Sequence, residues 1–261
     1  MSDLSLVLMQ TRYQLVGIVR NRRAVLFSLV LPAVLLVMFN SVFAPGSGTI
    51  ELGGERIGGH AYFTGGMLTY AVLLSAFNQL AIGLVNQRET GQLKRLRGTP
   101  VPAWTFIAAT ILRAVVVVAF MAVVLILIAR FGYHVRLSAT GLGQVVLFAV
   151  LGTAAFASVG IAATALVTDV DSAGAVLPLI AVILSLVSGI FVPIDQLPSG
   201  VEAIARVFPV YHLAKGLQLA LGNEGVGTFS GGDALVLAAW GVWAAVFAAR
   251  RFRWEPRAAM A

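Results

Sequence analysis

The sequence predicts an all-α, polytopic membrane protein. It consists of six transmembrane helices, an N-terminal amphipathic interfacial helix, and short re-entrant helices on the outer face between spans five and six. Three observations predict it. Of 261 residues, 59% are hydrophobic and only 11% charged, with mean hydropathy +0.93. Soluble domains carry about 25% charge, and so little charge cannot cover a water-facing surface. Apolar runs near the ~20 residues needed to cross a bilayer recur along the chain. Basic residues gather at the ends of alternate runs, where charge sets orientation.

The elements follow in order, within a single permease-like unit of residues 1–261. Residues 1–22 form an amphipathic helix: Leu4, Leu8, Leu15, Ile18 and Val19 fall near one face, with Gln10, Arg12, Gln14 and Arg20 largely elsewhere. Such a basic helix beside a span lies on a membrane surface; a plain extension of span one is the alternative. The six-span bundle occupies residues 23–250. Its apolar runs are Ala24–Phe43, Ala61–Val85, Ala103–Ala129, Gly143–Val167, Ala173–Val192 and a short last run, Asp233–Ala249. Residues 251–261 form a tail. Pro45 to His60 is a glycine-rich connection that includes Gly46 and Gly53, with room for a hairpin. Residues 194–222 are apolar but interrupted by Pro198, Pro209 and Gly216, which predicts two short helices on or in the outer face rather than a span.

Charge orients the bundle. Arg12, Arg20, Arg22 and Arg23 precede span one. Arg88, Lys94, Arg95 and Arg97 follow span two, and Arg250, Arg251, Arg253 and Arg257 follow span six. The other side holds only Arg56, Arg130, Arg136, Arg206 and Lys215. The positive-inside rule puts both termini in the cytoplasm of a cell whose inner or plasma membrane the chain spans, and an even number of spans agrees. The N-terminus lacks a cleavable signal pattern.

Composition also excludes chemistry. There is no cysteine, so thiol catalysis and cysteine metal sites are ruled out. His60, His134 and His212 stand in no ligand-spaced motif, and no metal site is expected. The net charge of +7 comes from residues flanking spans, without the aromatic-interleaved patch of a nucleic-acid binder, so no nucleic-acid partner is expected. The spans hold no His-x-x-x-His, paired carboxylates or Gly-x-Ser-x-Gly, which argues against an intramembrane enzyme; no catalytic residue is expected. Acidic residues are absent from mid-span, which argues against an ion-coupled transporter or channel.

The most informative polar segment runs from Asn86 to Pro100. It is charged and helix-capable as far as Gly98, and Thr99-Pro100 then stops it. It can be a docking helix or a topology loop and no more. Glu89-Thr90-Gly91, then Leu93, Leu96 and Thr99-Pro100, resemble in order the segment after span two of ABC-2 type transporter permeases, the membrane subunits of type 2 ABC exporters. Ser188-Gly189-Ile190-Phe191-Val192-Pro193, followed by Leu197-Pro198, Phe208-Pro209 and Tyr211-His212, resembles a second region of the same family.

That resemblance implies a permease that pairs with an identical or homologous second permease in a dimer and contacts an ABC ATPase subunit. Arg88, Glu89, Thr90, Gly91, Leu93, Lys94 and Leu96 would form the coupling helix. The loop Thr168 to Ser172, with Asp169 and Asp171, would be a second contact; the alternative is an acidic turn capped by Asp171 or Ser172. Pro193, Asp195, Pro198 and Pro209 would belong to an outer-face gate. No G-x-x-x-x-G-K-[ST] sequence occurs, so no cofactor is expected in this chain: ATP and its Mg would sit on the partner. The expected cargo is a drug, an antibiotic or a lipid, moved outward, with membrane lipid as surroundings. Asn78, Gln79 and Arg113 lie within spans and are the candidate transport path. Packing for the first two, and snorkelling for Arg113, are the alternatives.

Overall fold

The computed structural model describes residues 2–20, 22–44, 48–52, 54–167, 169–222 and 229–251, the side chains of residues 22–28 and 103 excepted. Gly46, Gly53, Thr168, Arg253 and Arg257 lie outside the described residues, as does all of the expected tail beyond Arg251. The chain is a helical bundle with one small antiparallel hairpin, β1 (Thr49–Leu52) and β2 (Glu55–Gly58), in which Glu51 faces Arg56. Two helices precede it, α1 (Asp3–Arg20) and α2 (Arg22–Phe43).

Among the described residues five helices are long and apolar enough to cross a membrane: Gly59–Glu89, Trp104–Tyr133, Ala139–Ala163, Val170–Val187 and Gly231–Arg251. The first joins α3 (Gly59–Val72), a π-helical stretch (Leu73–Gln79) and α4 (Leu80–Glu89). The others are α6 (Ala103–Tyr133), α7 (Ala139–Ala163), α8 (Val170–Val187) and α11 (Gly231–Arg251), with the short α5 (Gln92–Arg97) before α6. α2, expected to be span one, is a helix of 22 residues, and Leu29–Phe43 is its apolar stretch with described side chains.

Several boundaries differ from expectation: span two runs on to Glu89 rather than Val85, span three to Tyr133 rather than Ala129, and span four is Ala139–Ala163 rather than Gly143–Val167. The last helix is 21 residues long, so Arg250 and Arg251 extend it rather than merely flank a short run. α8 stops at Val187, before the expected Val192, because Gly189 turns left-handed at φ 75. Between α8 and α11 come a 3-10 turn (Ile194–Gln196), α9 (Ser199–Ala205) and α10 (Pro209–Gly222). Almost all of α10 is buried, so it is a core element despite its lysine and histidine.

α1 runs along the first half of α6. The Thr11 hydroxyl reaches Ala109 O at 3.4 Å, and the Gln14 amide reaches the Thr110 hydroxyl at 3.4 Å. Its protein-facing residues are Val7 and Thr11, while Leu4, Leu8 and Val19 are exposed. Leu4 and Leu8 of its apolar stripe thus point away from the bundle, whereas Leu15 and Ile18 are half-buried.

The core lies where small residues let backbones approach. A Cβ on Gly152 would sit 2.5 Å from Leu213, and one on Gly160 would sit 3.0 Å from the Phe77 carbonyl oxygen. The small faces of α7 therefore serve packing against α10 and the π-helical stretch. The connections alternate between two ends of the bundle. One carries residues 86–102 and 164–169 and is called here the basic end. The other carries the β-hairpin, residues 134–138 and residues 188–222, and is the hairpin end.

Candidate functional site

The polar turn Asn86-Gln87-Arg88-Glu89 prolongs α4 because it contains no helix breaker. The chain then reverses. Thr90 N–H and its hydroxyl both donate to Asn86 O, at 2.9 and 2.8 Å, and Gly91 N–H donates to Arg88 O at 3.0 Å. Gly91 adopts φ 71 and ψ 10, the left-handed region that costs other residues about 1–2 kcal/mol. A Cβ there would meet nothing within 4 Å, so glycine is needed for conformation and not for space. α5 starts at once and lasts six residues. It ends where the Thr99 hydroxyl and N–H donate to Leu96 O, at 2.6 and 3.0 Å, with Pro100 next.

The segment has two faces. Leu93 is 1% exposed and plugs the turn into the bundle; Glu89 and Leu96 are half-buried. Thr90, Gln92, Lys94, Arg95 and Arg97 are exposed. Arg88, expected to meet a partner, is 3% exposed and faces the protein instead. Its Nη1 donates to Thr164 O and its Nη2 to Val167 O, each at 3.0 Å, while Nε donates to Glu89 Oε1 at 3.0 Å. Helix C-termini leave carbonyls without helical partners, and here those just past α7 are met by the planar fork of a guanidinium. Arg88 therefore ties the segment after span two to the turn after α7. Its place is that of a positioning residue, and Leu93 shares that place by packing.

The second expected contact lies beside this tie. Asp169, at φ −144 and ψ 173, caps α8: its carboxylate accepts from Ser172 N–H at 2.8 Å and from the Ser172 hydroxyl at 2.9 Å. The cap is thus Asp169, not Asp171 or Ser172, because only Asp169 has the extended backbone of an N-cap. Asp171 stands exposed in the first turn. Arg88 brings the two basic-end connections together, so cationic and acidic exposed groups share one surface.

The polar residues within spans separate. The π-helical stretch of seven residues holds Asn78 and Gln79; π-helical turns are rare. Asn78 is buried, and its Oδ1 accepts no hydrogen bond among the described residues. Gln79 is exposed and lines a cleft of about 420 Å³ with Leu15 and Val19 of α1, Leu29 of α2, and Val116, Val117 and Phe120 of α6. Arg113 is half-buried, its Nε without a partner among the described residues, and it does not line that cleft. No described cavity joins all three.

At the hairpin end each expected gate proline opens a helix, where its missing N–H is no loss. Pro193 precedes the 3-10 turn, Pro198 precedes α9, and Pro209 begins α10. Asp195 is exposed. The junction there also depends on Tyr62, Gln218 and Ser230, which stand in no sequence motif. Gly189 O accepts from the Tyr62 hydroxyl at 2.5 Å and from Gln218 Nε2 at 2.9 Å. His212 Nδ1 lies 2.5 Å from Asp233 Oδ1, its Nε2 lies 2.8 Å from Arg206 O, and Lys215 and Ser230 also meet the Asp233 carboxylate. A signal existed: His212 and Lys215 stand three apart on one helical face, and Asp233 opens an apolar helix.

Among the described residues no group of three or more histidines, aspartates or glutamates is placed to hold a metal ion. The family model described as ABC-2 type transporter matches residues 6–221. A protein of Bacillus subtilis (strain 168) named "Putative transport permease YvfS" is 23% identical over 199 residues, covering 76% of this chain and 78% of that protein.

Proposed function

The chain belongs to the ABC-2 type transporter family, and on that premise we propose that it is the permease half of an ATP-driven exporter of hydrophobic or amphiphilic cargo. Family membership makes it a multi-pass transmembrane subunit that partners an ABC ATPase and is not that ATPase itself. The finer reading goes further. A second permease, identical or homologous, completes the complex, ATP and Mg bind the partner, and a drug, an antibiotic or a lipid moves outward across the cytoplasmic membrane. α2 serves as the first of six spans, α9 and α10 are re-entrant, and both termini are cytoplasmic; basic residues concentrated at one end of the bundle support this orientation.

The observation that carries the proposal is the split of the basic end into an exposed cationic helix and a buried tie. Thr90, Lys94, Arg95 and Arg97 face outward, with Glu89 and Leu96 at the edge, where an ATPase subunit would dock. Asp171 extends the same surface. Arg88 and Leu93 hold the helix to the bundle. Because Arg88 grips the carbonyls after α7, a displacement of α5 by the ATPase moves α4 and the α7–α8 turn together. Permease movement is then a bias between two arrangements rather than chemistry at the chain's own residues. Asn78 and Gln79, in the one non-α stretch of span two, are the path residues best placed to respond.

The test is affinity purification of the tagged chain in mild detergent, followed by mass spectrometry. An ATPase subunit is expected to co-purify, and Lys94→Ala/Arg95→Ala is expected to lose it while eluting as a folded protein. Recovery of the chain without any ATPase would overturn the exporter reading.

A further inference from the structure

The cations of the hairpin end fall into two groups. Arg206 pairs with Glu202 at 2.5 Å, Lys215 pairs with Asp233 at 3.4 Å, and Arg56 faces Glu51 across the β-hairpin. Arg130 and Arg136 have no carboxylate partner among the described residues. Both line one open cleft of about 520 Å³, together with Phe131, His134 and Leu137. A sharp turn puts them there. α6 ends with His134 left-handed at φ 57 and ψ 27, and Val135 N–H donates back to Ala129 O at 3.1 Å. This closure returns Arg136 to the side of the helix that bears Arg130.

A helix C-terminus attracts cations by itself, which accounts for Arg130 alone. Two arginines lining one cleft place like charges on it, and an anion bound there offsets their repulsion. The planar guanidinium fork fits phosphate oxygens in particular. The remaining walls are not those of a site for a small hydrated ion. Phe131 is 77% exposed at the end of an apolar helix, and it and Leu137 line the same cleft, so the cations share it with apolar surface that adjoins the spanning helix α6.

We propose that Arg130, Arg136 and His134 form a phosphate-binding site at the hairpin end, occupied by the headgroup of an anionic phospholipid. The arginines hold the phosphate, and Phe131 and Leu137 lie against the start of its acyl chains. The site does not depend on what the transporter carries or on its ATPase.

The experiment is native mass spectrometry of the whole chain, purified in detergent and exposed to phosphatidylglycerol. Arg130→Gln/Arg136→Gln is compared with Arg56→Gln, which removes an arginine of the same end outside the cleft. The expected result is one fewer retained lipid per chain in the double variant, no change in Arg56→Gln, and partial retention in Arg130→Lys/Arg136→Lys, which keeps the charge without the fork. Both arginines are exposed, and an unchanged elution volume verifies that the variants fold. Excess inorganic phosphate distinguishes the sources: displacement of that one lipid shows that the free anion suffices, and persistence shows that the acyl chains contribute; both support the site. Equal lipid retention by wild type and the double variant would overturn it.

Discussion

The seam of the hairpin end and the segment after span two at the basic end use polar groups in opposite ways. In the seam they are turned inward: Tyr62 and Gln218 share the Gly189 carbonyl, and His212, Lys215 and Ser230 share the Asp233 carboxylate. At the basic end buried Arg88 closes the structure, and Lys94 and Arg95 are left exposed. A hydrogen bond made within the protein stabilises one arrangement, whereas an exposed cation is available to another molecule. The contrast separates the surface that holds the fold from the surface that takes a partner, and it can be broken at either end by one substitution.

The largest effect is expected at the hairpin-end seam. A Cβ on Gly66 would sit 2.5 Å from the Ile190 carbonyl oxygen. That atom belongs to backbone already fixed through the neighbouring Gly189, so it cannot yield cheaply. Gly83 lies in the same long helix with nothing within 4 Å of its Cβ position. Gly66→Ala is expected to abolish recovery of folded protein in detergent. Gly83→Ala is expected to match or slightly exceed wild type, since alanine favours helix by about 1 kcal/mol. Size-exclusion profiles of the two variants check this, and similar profiles would refute the tight seam.

How much of this was legible in the sequence differs between the ends. The membrane-spanning helices follow from apolar runs long enough to cross a bilayer, and the Gly91 turn follows from Glu-Thr-Gly before a charged helix. The direction in which Arg88 points does not. A basic residue among basic residues reads as exposed, and only the free carbonyls after α7, more than seventy positions away, make burial favourable. The same holds for Tyr62 and Gln218, whose shared acceptor lies far along the chain. α1 shows the limit of a periodic pattern. Leu4 and Leu8 of the apolar stripe face outward, since lipid is the solvent there, Leu15 and Ile18 of the same stripe are half-buried, and Val7 and Thr11 face the protein. The π-helical stretch has no sequence signal at all; it coincides with the close approach of Gly160 to Ala76 and Phe77.

Next in size is the buried tie. Hydrogen bonds to a charged group are worth about 1.5–3 kcal/mol each, and Arg88→Ala removes two to carbonyls and one to Glu89. A marked fall in thermal midpoint is expected. Arg88→Lys should fall between, because an ammonium lacks the fork that reaches both carbonyls. Lys94→Ala, in α5 just beyond the Gly91 turn and exposed, should leave the midpoint unchanged and weaken recovery of the ATPase. Equal midpoints for Arg88→Ala and Lys94→Ala would erase the distinction between holding and docking residues.

The smallest effect separates conformation from contact within the docking segment itself. Gly91→Ala keeps every side chain of α5 and meets no neighbour, yet it forces a Cβ into the left-handed region at about 1–2 kcal/mol. The turn can relieve that strain only by changing the angle at which α5 leaves α4. The thermal midpoint should move little, because Leu93 and Arg88 still anchor the segment. What should change is the ratio of transport to ATP hydrolysis in reconstituted vesicles, with the ATPase still bound. Restoration by Gly91→Asn, which tolerates the left-handed region better than alanine does, would tie the loss to backbone geometry. Loss of ATPase binding in Gly91→Ala would show instead that the turn only presents the exposed cations and transmits nothing.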